Sequence, residues 1–306
     1  DMLPWAKYRV TYGASIDTRE LVRRRIGRMA ALIVACDALT DWCAWLLDEG
    51  YRGEMECTIA KIFASESQKE AAIELYMKTH GGRAFLHGHI FGDNIHEYLA
   101  PCIYEGEGEM LALGFFKSLI KEHGKTFYEP IGRTLASAGI RQPNMLNPAH
   151  MVKLAPAAMP WLKWRVGQTI GGPQRAQLPS LPANLAGHAQ FAADALQRCR
   201  FEVDALMQKY QLRMADRQCA MSQLSRRIQN LIVMFTACMW AADQDDELTR
   251  MAAEVLCNDI RREHTGARQT DAEFKLVTKL GERIADGGFK AIAGVEPNEI
   301  LQPYQK

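Results

Sequence analysis

The sequence predicts an all-α protein: a four-helix bundle, a connector and a second helical bundle. Three observations predict it. Apolar residues recur every third or fourth position over long stretches, glycines stand where those stretches stop, and one proline-dense region separates an earlier set from a later set. No strand-like alternation persists anywhere.

The first helix is expected over Thr18 to Asp48, with Val22, Ile26, Met29 and Ile33 on one face and Gly50 as its stop. The second runs from Glu54 to Thr79, carrying Ile59, Ile62, Phe63, Ile73, Tyr76 and Met77 before Gly81-Gly82 ends it. These two should form an antiparallel hairpin. A third spans Glu107 to His123, with Met110, Leu111, Phe115 and Leu119 on its stripe and Gly124 just beyond. A shorter helix follows over Phe127 to Ala138. Seven of the twelve prolines then fall between Gln142 and Ala183: Pro143, Pro148, Pro156, Pro160, Pro173, Pro179 and Pro182. This texture marks a connector. Helical periodicity returns from Ala189 to Gly288 in about four helices, one with Leu224, Ile228, Leu231, Met234, Phe235 and Cys238 aligned. The expected domains are 1–140, 141–188 and 189–306.

Composition excludes several function classes. A hydrophobic content of 48% with 24% charged residues suits a globular chain, not a fibrous or disordered one. A net charge of +1 excludes attraction of nucleic acid to a generally basic surface. The eight cysteines lack metal-ligand spacing and read as reduced packing residues, which fits a cytoplasm or a mitochondrial matrix. His80, His87, His89 and His96 lie near one another, but no acid or cysteine completes a ligand set, so no metal is expected. No uninterrupted apolar run reaches transmembrane length. The opening Asp-Met reads like the end of a helix, as in a piece of a longer protein.

Charge is uneven locally. Between Ile131 and Ala193 there is no Asp or Glu, while Arg133, Arg141, Lys153, Lys163, Arg165 and Arg175 are present. Met151, Val152, Leu154, Met159, Trp161, Leu162, Trp164 and Val166 add apolar and aromatic weight beside them. That is the composition of an interfacial anchor, so residues 151–170 are a candidate contact with an anionic membrane surface. The plainer alternative is a basic linker packed on its own dimer.

Three short motifs carry a resemblance. Lys7-Tyr8-Arg9-Val10-Thr11-Tyr12-Gly13 is followed by Ile16; His80-Gly81-Gly82 follows the two long helices; Ile103-Tyr104-Glu105-Gly106 comes next. Together, in this order, they resemble the Arg-x-x-Phe-Gly, Gly-Gly and Tyr-Glu-Gly landmarks of acyl-CoA dehydrogenases. Gln190-Phe191, Cys219 to Leu224 and Met251 to Arg262 look like the C-terminal extension of the very-long-chain type. The resemblance implies that this chain is the C-terminal helical part of an FAD-dependent enzyme oxidising long-chain or very-long-chain acyl-CoA to trans-2-enoyl-CoA in fatty acid β-oxidation. Electrons would pass to electron-transferring flavoprotein. The enzyme would be a homodimer peripheral to a membrane, such as the mitochondrial inner membrane.

By the same resemblance, Glu105 is the base that takes the α-proton and Gly106 contacts the thioester. Arg9 would reach across a subunit interface to the FAD pyrophosphate, a task suited to a planar, permanently charged donor, with Thr11 and Tyr12 beside it. Lys78, Gly82, Glu107, Gly108 and Glu109 fall at further FAD-contacting positions. Four departures mark a divergent branch: Lys78 for the usual Gln, Ala84 for a third glycine, His96-Glu97 for Arg-Asp, and Glu107 for Thr or Ser. They leave open a rival class, a non-catalytic scaffold that assembles a complex at a membrane. A third possibility is a helical lipid-binding module using residues 151–170. Alone, without flavin and acyl-chain contacts from elsewhere, this chain is expected to be inactive.

Overall fold

The computed structural model describes residues 1–140, 144, 146–171 and 175–298. Of the residues named above, Arg141, Gln142, Pro143 and Pro173 lie outside these, as does the end of the 189–306 unit from residue 299 onward. Among the described residues the fold is all-α apart from one small hairpin. Helix α1 covers Met2–Tyr8, strands β1 Val10–Thr11 and β2 Ala14–Ser15 pair antiparallel, and α2 runs over Glu20–Asp48. Helix α3, Glu54–Glu70, continues through a π turn at Ala71–Met77 into the single turn α4, Lys78–His80. Then come α5, Ile90–Leu99, α6, Gly108–His123, and α7, Glu129–Ser137. Helix α8 is Pro148–Gly171, and α9 Ala183–Tyr210, α10 Gln218–Ala242, α11 Glu247–Thr265 and α12 Asp271–Asp286 complete the fold.

The ends of these helices follow local chemistry. Gly50 and Gly53, both at positive φ, turn α2 into α3. Asp246 accepts from the Leu248 and Thr249 amides at the start of α11, and Gly266 in the left-handed region closes it. Thr270 and Glu273 form a reciprocal capping box on α12.

Helix α2 is the axis of the molecule. It is long and apolar enough to cross a membrane by length and composition, but its apolar face is buried against α10, α11 and α12. Ala30, Ala31, Val34, Ala35 and Ala38 make that face shallow, so other helices approach it closely. The core runs without a break from Ile26 and Phe116 into Leu231, Met234, Leu256 and Leu280. The earlier and later helices thus share one hydrophobic interior.

Where a broken connector was expected, the structure has the 24-residue helix α8. Pro156 and Pro160 interrupt its hydrogen bonding but stand four residues apart on an exposed face. The carbonyls they free, those of Val152 and Pro156, are therefore solvated rather than orphaned. Helix α8 is tied down by Asp204 of α9, whose side chain is wholly buried. Asp204 accepts from His123 Nε2 at 3.0 Å, Tyr128 Oη at 2.7 Å, Trp161 Nε1 at 3.1 Å and Gln208 Nε2 at 2.7 Å, and it pairs with Arg165. Burial pushes this carboxyl up, and the bonds from His123, Tyr128 and Trp161 more than reverse that, leaving it below the usual carboxylate value.

His188 of α9 has no such partner. Its Nδ1 is buried without a hydrogen bond. Burial, with a smaller contribution from Arg261, holds its pKa down to about 4. The unfolded chain protonates this ring near its ordinary value, so stability from His188 is complete above about pH 6.5 and is lost as pH falls toward 4. Replacing His188 with Leu should remove on the order of 3 kcal/mol of the stability change between those limits. Urea midpoints of wild type and variant at pH 7.5 and 4.5 measure it; equal pH dependence in the two would refute the assignment.

Candidate active site

The sequence-derived site residues fall on three surface features. The first is the β1–β2 hairpin, where Val10 faces Ser15 and Thr11 faces Ala14 across a two-residue turn of Tyr12 and Gly13. Both turn residues have positive φ, +50° and +78°, the geometry that two-residue hairpins favour. Arg19 at the head of α2 fastens the turn, its Nη2 donating to Thr11 O at 2.5 Å and Tyr12 O at 3.3 Å. Tyr12 is 98% exposed at the tip. Arg9 is exposed beside it and makes no ion pair among the described residues.

The second feature is the turn after α4. Trp5 of α1 donates from Nε1 to Thr79 O at 3.2 Å, which seats the foot of the hairpin against this turn. His80 is packed between Trp5 and Tyr76, with ring centroids 5.7 and 4.1 Å away. Burial drives its pKa down to about 4, so the ring is neutral near pH 7 and offers no charge to a phosphate. Gly81 has φ +66°, and Gly82 is open to solvent. Lys78, expected to meet a phosphate, is paired with Glu74 on its own helix run.

The third feature is the loop between α5 and α6. Glu105 is exposed and holds φ +58°, an uncommon conformation for a residue with a side chain. Gly106 follows at φ +105°, a conformation that residues with a side chain rarely adopt, so the position favours glycine. Its carbonyl accepts from Lys61 Nζ of α3 at 2.5 Å. The loop therefore presents Glu105 from a backbone pinned on both sides. Neither Lys61 nor Arg19 was singled out from sequence. Each is one cation among many on a polar helix face, and only the carbonyl it reaches distinguishes it.

Glu107 takes a role the sequence reading did not assign. Its carboxylate accepts from the Glu109 amide at 3.0 Å and the Met110 amide at 3.2 Å, as the N-cap of α6. A Thr or Ser can cap in the same way, but a carboxylate adds charge where an anionic ligand would approach. Glu107, Gly108 and Glu109 border a cleft of about 860 Å³ between α3, α6, α10 and α11. Glu66, Glu70, Glu74, Asp259 and Glu263 line it with them, against Arg28, Lys69 and Arg226. Acids outnumber cations, so this cleft does not fit a pyrophosphate.

The structure brings the hairpin and the Gly81-Gly82 turn together but not Glu105. Lys61 under Glu105 and Thr79 under the hairpin are 18 residues apart on one helical run, which separates the two ends by roughly 25 Å. A ligand touching both must be elongated.

Known proteins share the fold of this chain. Residues 1–119 match the family described as acyl-CoA dehydrogenase, C-terminal domain. No curated protein matches the sequence. Among solved structures, the chain is similar to an acyl-CoA dehydrogenase complexed with FAD from Bacillus anthracis, at 14% identity and a TM-score of 0.62 over 93% of this chain and 51% of that one. It is also similar to Arabidopsis thaliana acyl-CoA oxidase 1, at 12% identity and a TM-score of 0.59 over 93% of this chain and 44% of that one. The chain thus spans about half the length of these proteins. Residues 1–119 thus resemble an acyl-CoA dehydrogenase C-terminal domain, and over 93% of its length the chain shares the fold of about half of such a protein.

Proposed function

We propose that this chain is the C-terminal helical part of an FAD-dependent enzyme that dehydrogenates long-chain or very-long-chain acyl-CoA to trans-2-enoyl-CoA. The observation that carries the reading is Glu105: a solvent-facing carboxylate on a strained backbone, held by Gly106 against Leu111 and by Lys61. In this reading Glu105 takes the α-proton of the thioester and Gly106 lets the substrate approach the backbone. When bound, FAD supplies acceptance of the hydride from the β-carbon. Arg9 would meet the pyrophosphate, with Thr11 and Tyr12 bordering it, because the hairpin offers an exposed guanidinium uncompensated by acid. Glu107 would stay on its own helix.

Electron-transferring flavoprotein is the proposed electron acceptor, and a homodimer the proposed assembly. Helix α8 supports a peripheral site on a membrane, in a mitochondrial matrix or a cytoplasm. Leu154, Ala157, Trp161, Trp164 and Arg165 face the protein, while Val152, Met159, Leu162, Val166 and Ile170 form an exposed apolar stripe beside Lys153 and Lys163. The cation excess is smaller than the sequence suggests, since Arg165 pairs with Asp204 and Arg133 with Glu129.

A non-catalytic scaffold is the second reading, favoured by the Glu107 cap and the Lys78–Glu74 pair. Stopped-flow absorbance of the full-length protein mixed with palmitoyl-CoA separates the two. Flavin bleaching is expected in wild type, slowed by about 10³-fold or more in Glu105→Gln. Absence of bleaching in wild type would leave the scaffold reading.

A further inference from the structure

Where α8 ends and the chain turns toward α9, Gln168, Arg175, Gln177, Gln197 and Arg200 line a pocket of about 460 Å³. Arg200 lies over the rings of Phe127 and Trp164, 5.7 and 5.1 Å from their centroids. Stacking fixes the plane of the guanidinium and leaves its N–H edge for another partner. Neither Arg200 nor Arg175 forms an ion pair among the described residues. Neighbouring acids are used elsewhere: Asp204 by Arg165 and His123, Glu202 by Arg227. No acid lies between Ile131 and Ala193 to approach from the other wall.

From this pocket we infer that the chain binds a phosphate group, on Arg175 and Arg200 with the Gln168 and Gln177 amides completing its donors. Two guanidiniums lining one pocket suit the several oxygens of a phosphate better than a single carboxylate. The volume exceeds that of a bare phosphate, which leaves room for its ester. The exposed stripe of α8 ends at Ile170, two residues along the chain from Gln168 of the pocket lining, so the ester is either a lipid headgroup or a soluble phosphate ester. The site does not depend on acyl-CoA dehydrogenation, and a chain without flavin tests it equally well.

Isothermal titration of the full chain with inorganic phosphate is the test. One saturable site is expected, weakened about tenfold or more by Arg175→Gln and by Arg200→Gln. Lys153→Gln and Lys163→Gln, elsewhere on the same basic segment, should leave it unchanged. Among the described residues Arg175 stacks on no ring, so its variant reports on binding even if Arg200→Gln disturbs Trp164. Vesicles of phosphatidylcholine with phosphatidic acid identify the source. Retention that depends on Arg175 and is displaced by inorganic phosphate assigns a headgroup; phosphate binding without such retention assigns a soluble ester. No saturable binding, or equal losses in the lysine variants, overturns the site.

Discussion

Gly281→Ala is expected to destabilise the chain by about 3 kcal/mol or more, although alanine is the better helix former. The reason lies in the crossing of α12 on α2. A Cβ at Gly281 would stand 1.9 Å from Arg23 O, and one at Gly27 would stand 2.3 Å from Val277 O. Arg23 and Gly27 are one turn apart on α2, as Val277 and Gly281 are on α12, so each glycine admits the backbone beside the other. The obstruction is main chain in the middle of two helices, which cannot swing away as a flexible side chain would. The helices must separate, loosening the contacts of Val277, Leu280 and Ile284 with the core. Gly114→Ala is the control: it is helical and exposed with nothing within 4 Å, so alanine there should stabilise by roughly 0.5–1 kcal/mol. Urea denaturation of both variants decides the matter, and a Gly281→Ala chain as stable as wild type would show that the crossing is looser than described.

That crossing was not legible in the sequence. Gly27 and Gly281 look like ordinary weak points in helical patterns, and the atoms that require them lie on another helix far along the chain. By contrast, the lengths of α2, α6 and the α3–α4 run were readable, because apolar periodicity and terminal glycines are local signals. Helix α8 was missed for a related reason. Pro156 and Pro160 argue against a helix locally, and only their shared exposed face makes the lost hydrogen bonds tolerable. The same limit applies to charge: the basic segment was counted in a window that excludes Asp204, which reaches Arg165 only through the fold. Glu105 and Gly106 were found as a motif, whereas the Lys61 contact that pins their loop depends on tertiary geometry. For Glu107 the residue type was seen, but its carboxylate could not be placed on the α6 amides until the loop geometry was known.

Arg28→Ala should have the second large effect on the fold, and one that reaches the candidate site. Arg28 of α2 binds Glu70 at the end of α3 in bidentate fashion, at 2.7 and 2.8 Å, and Asp259 of α11 at 2.8 Å. Its side chain is 24% exposed, so the cluster is neither a solvated surface pair nor a dry one. A cost of about 2–3 kcal/mol follows, between the values for those extremes. Most of it comes from leaving Glu70 without its cation, since Asp259 keeps its pair with Arg262. If that is right, Arg28→Ala should cost less by about 1 kcal/mol or more in a Glu70→Gln, Asp259→Asn background, a coupling that a double-mutant comparison of urea midpoints resolves. Strictly additive losses would mean that packing of the Arg28 stem, and not its charge, holds the three helices. Glu70 is also the last residue before the π turn that leads to Lys78 and Gly81. Hydrogen exchange across residues 71–82 should therefore accelerate in Arg28→Ala, while the Glu105 loop, anchored by Lys61 in the middle of α3, keeps its protection.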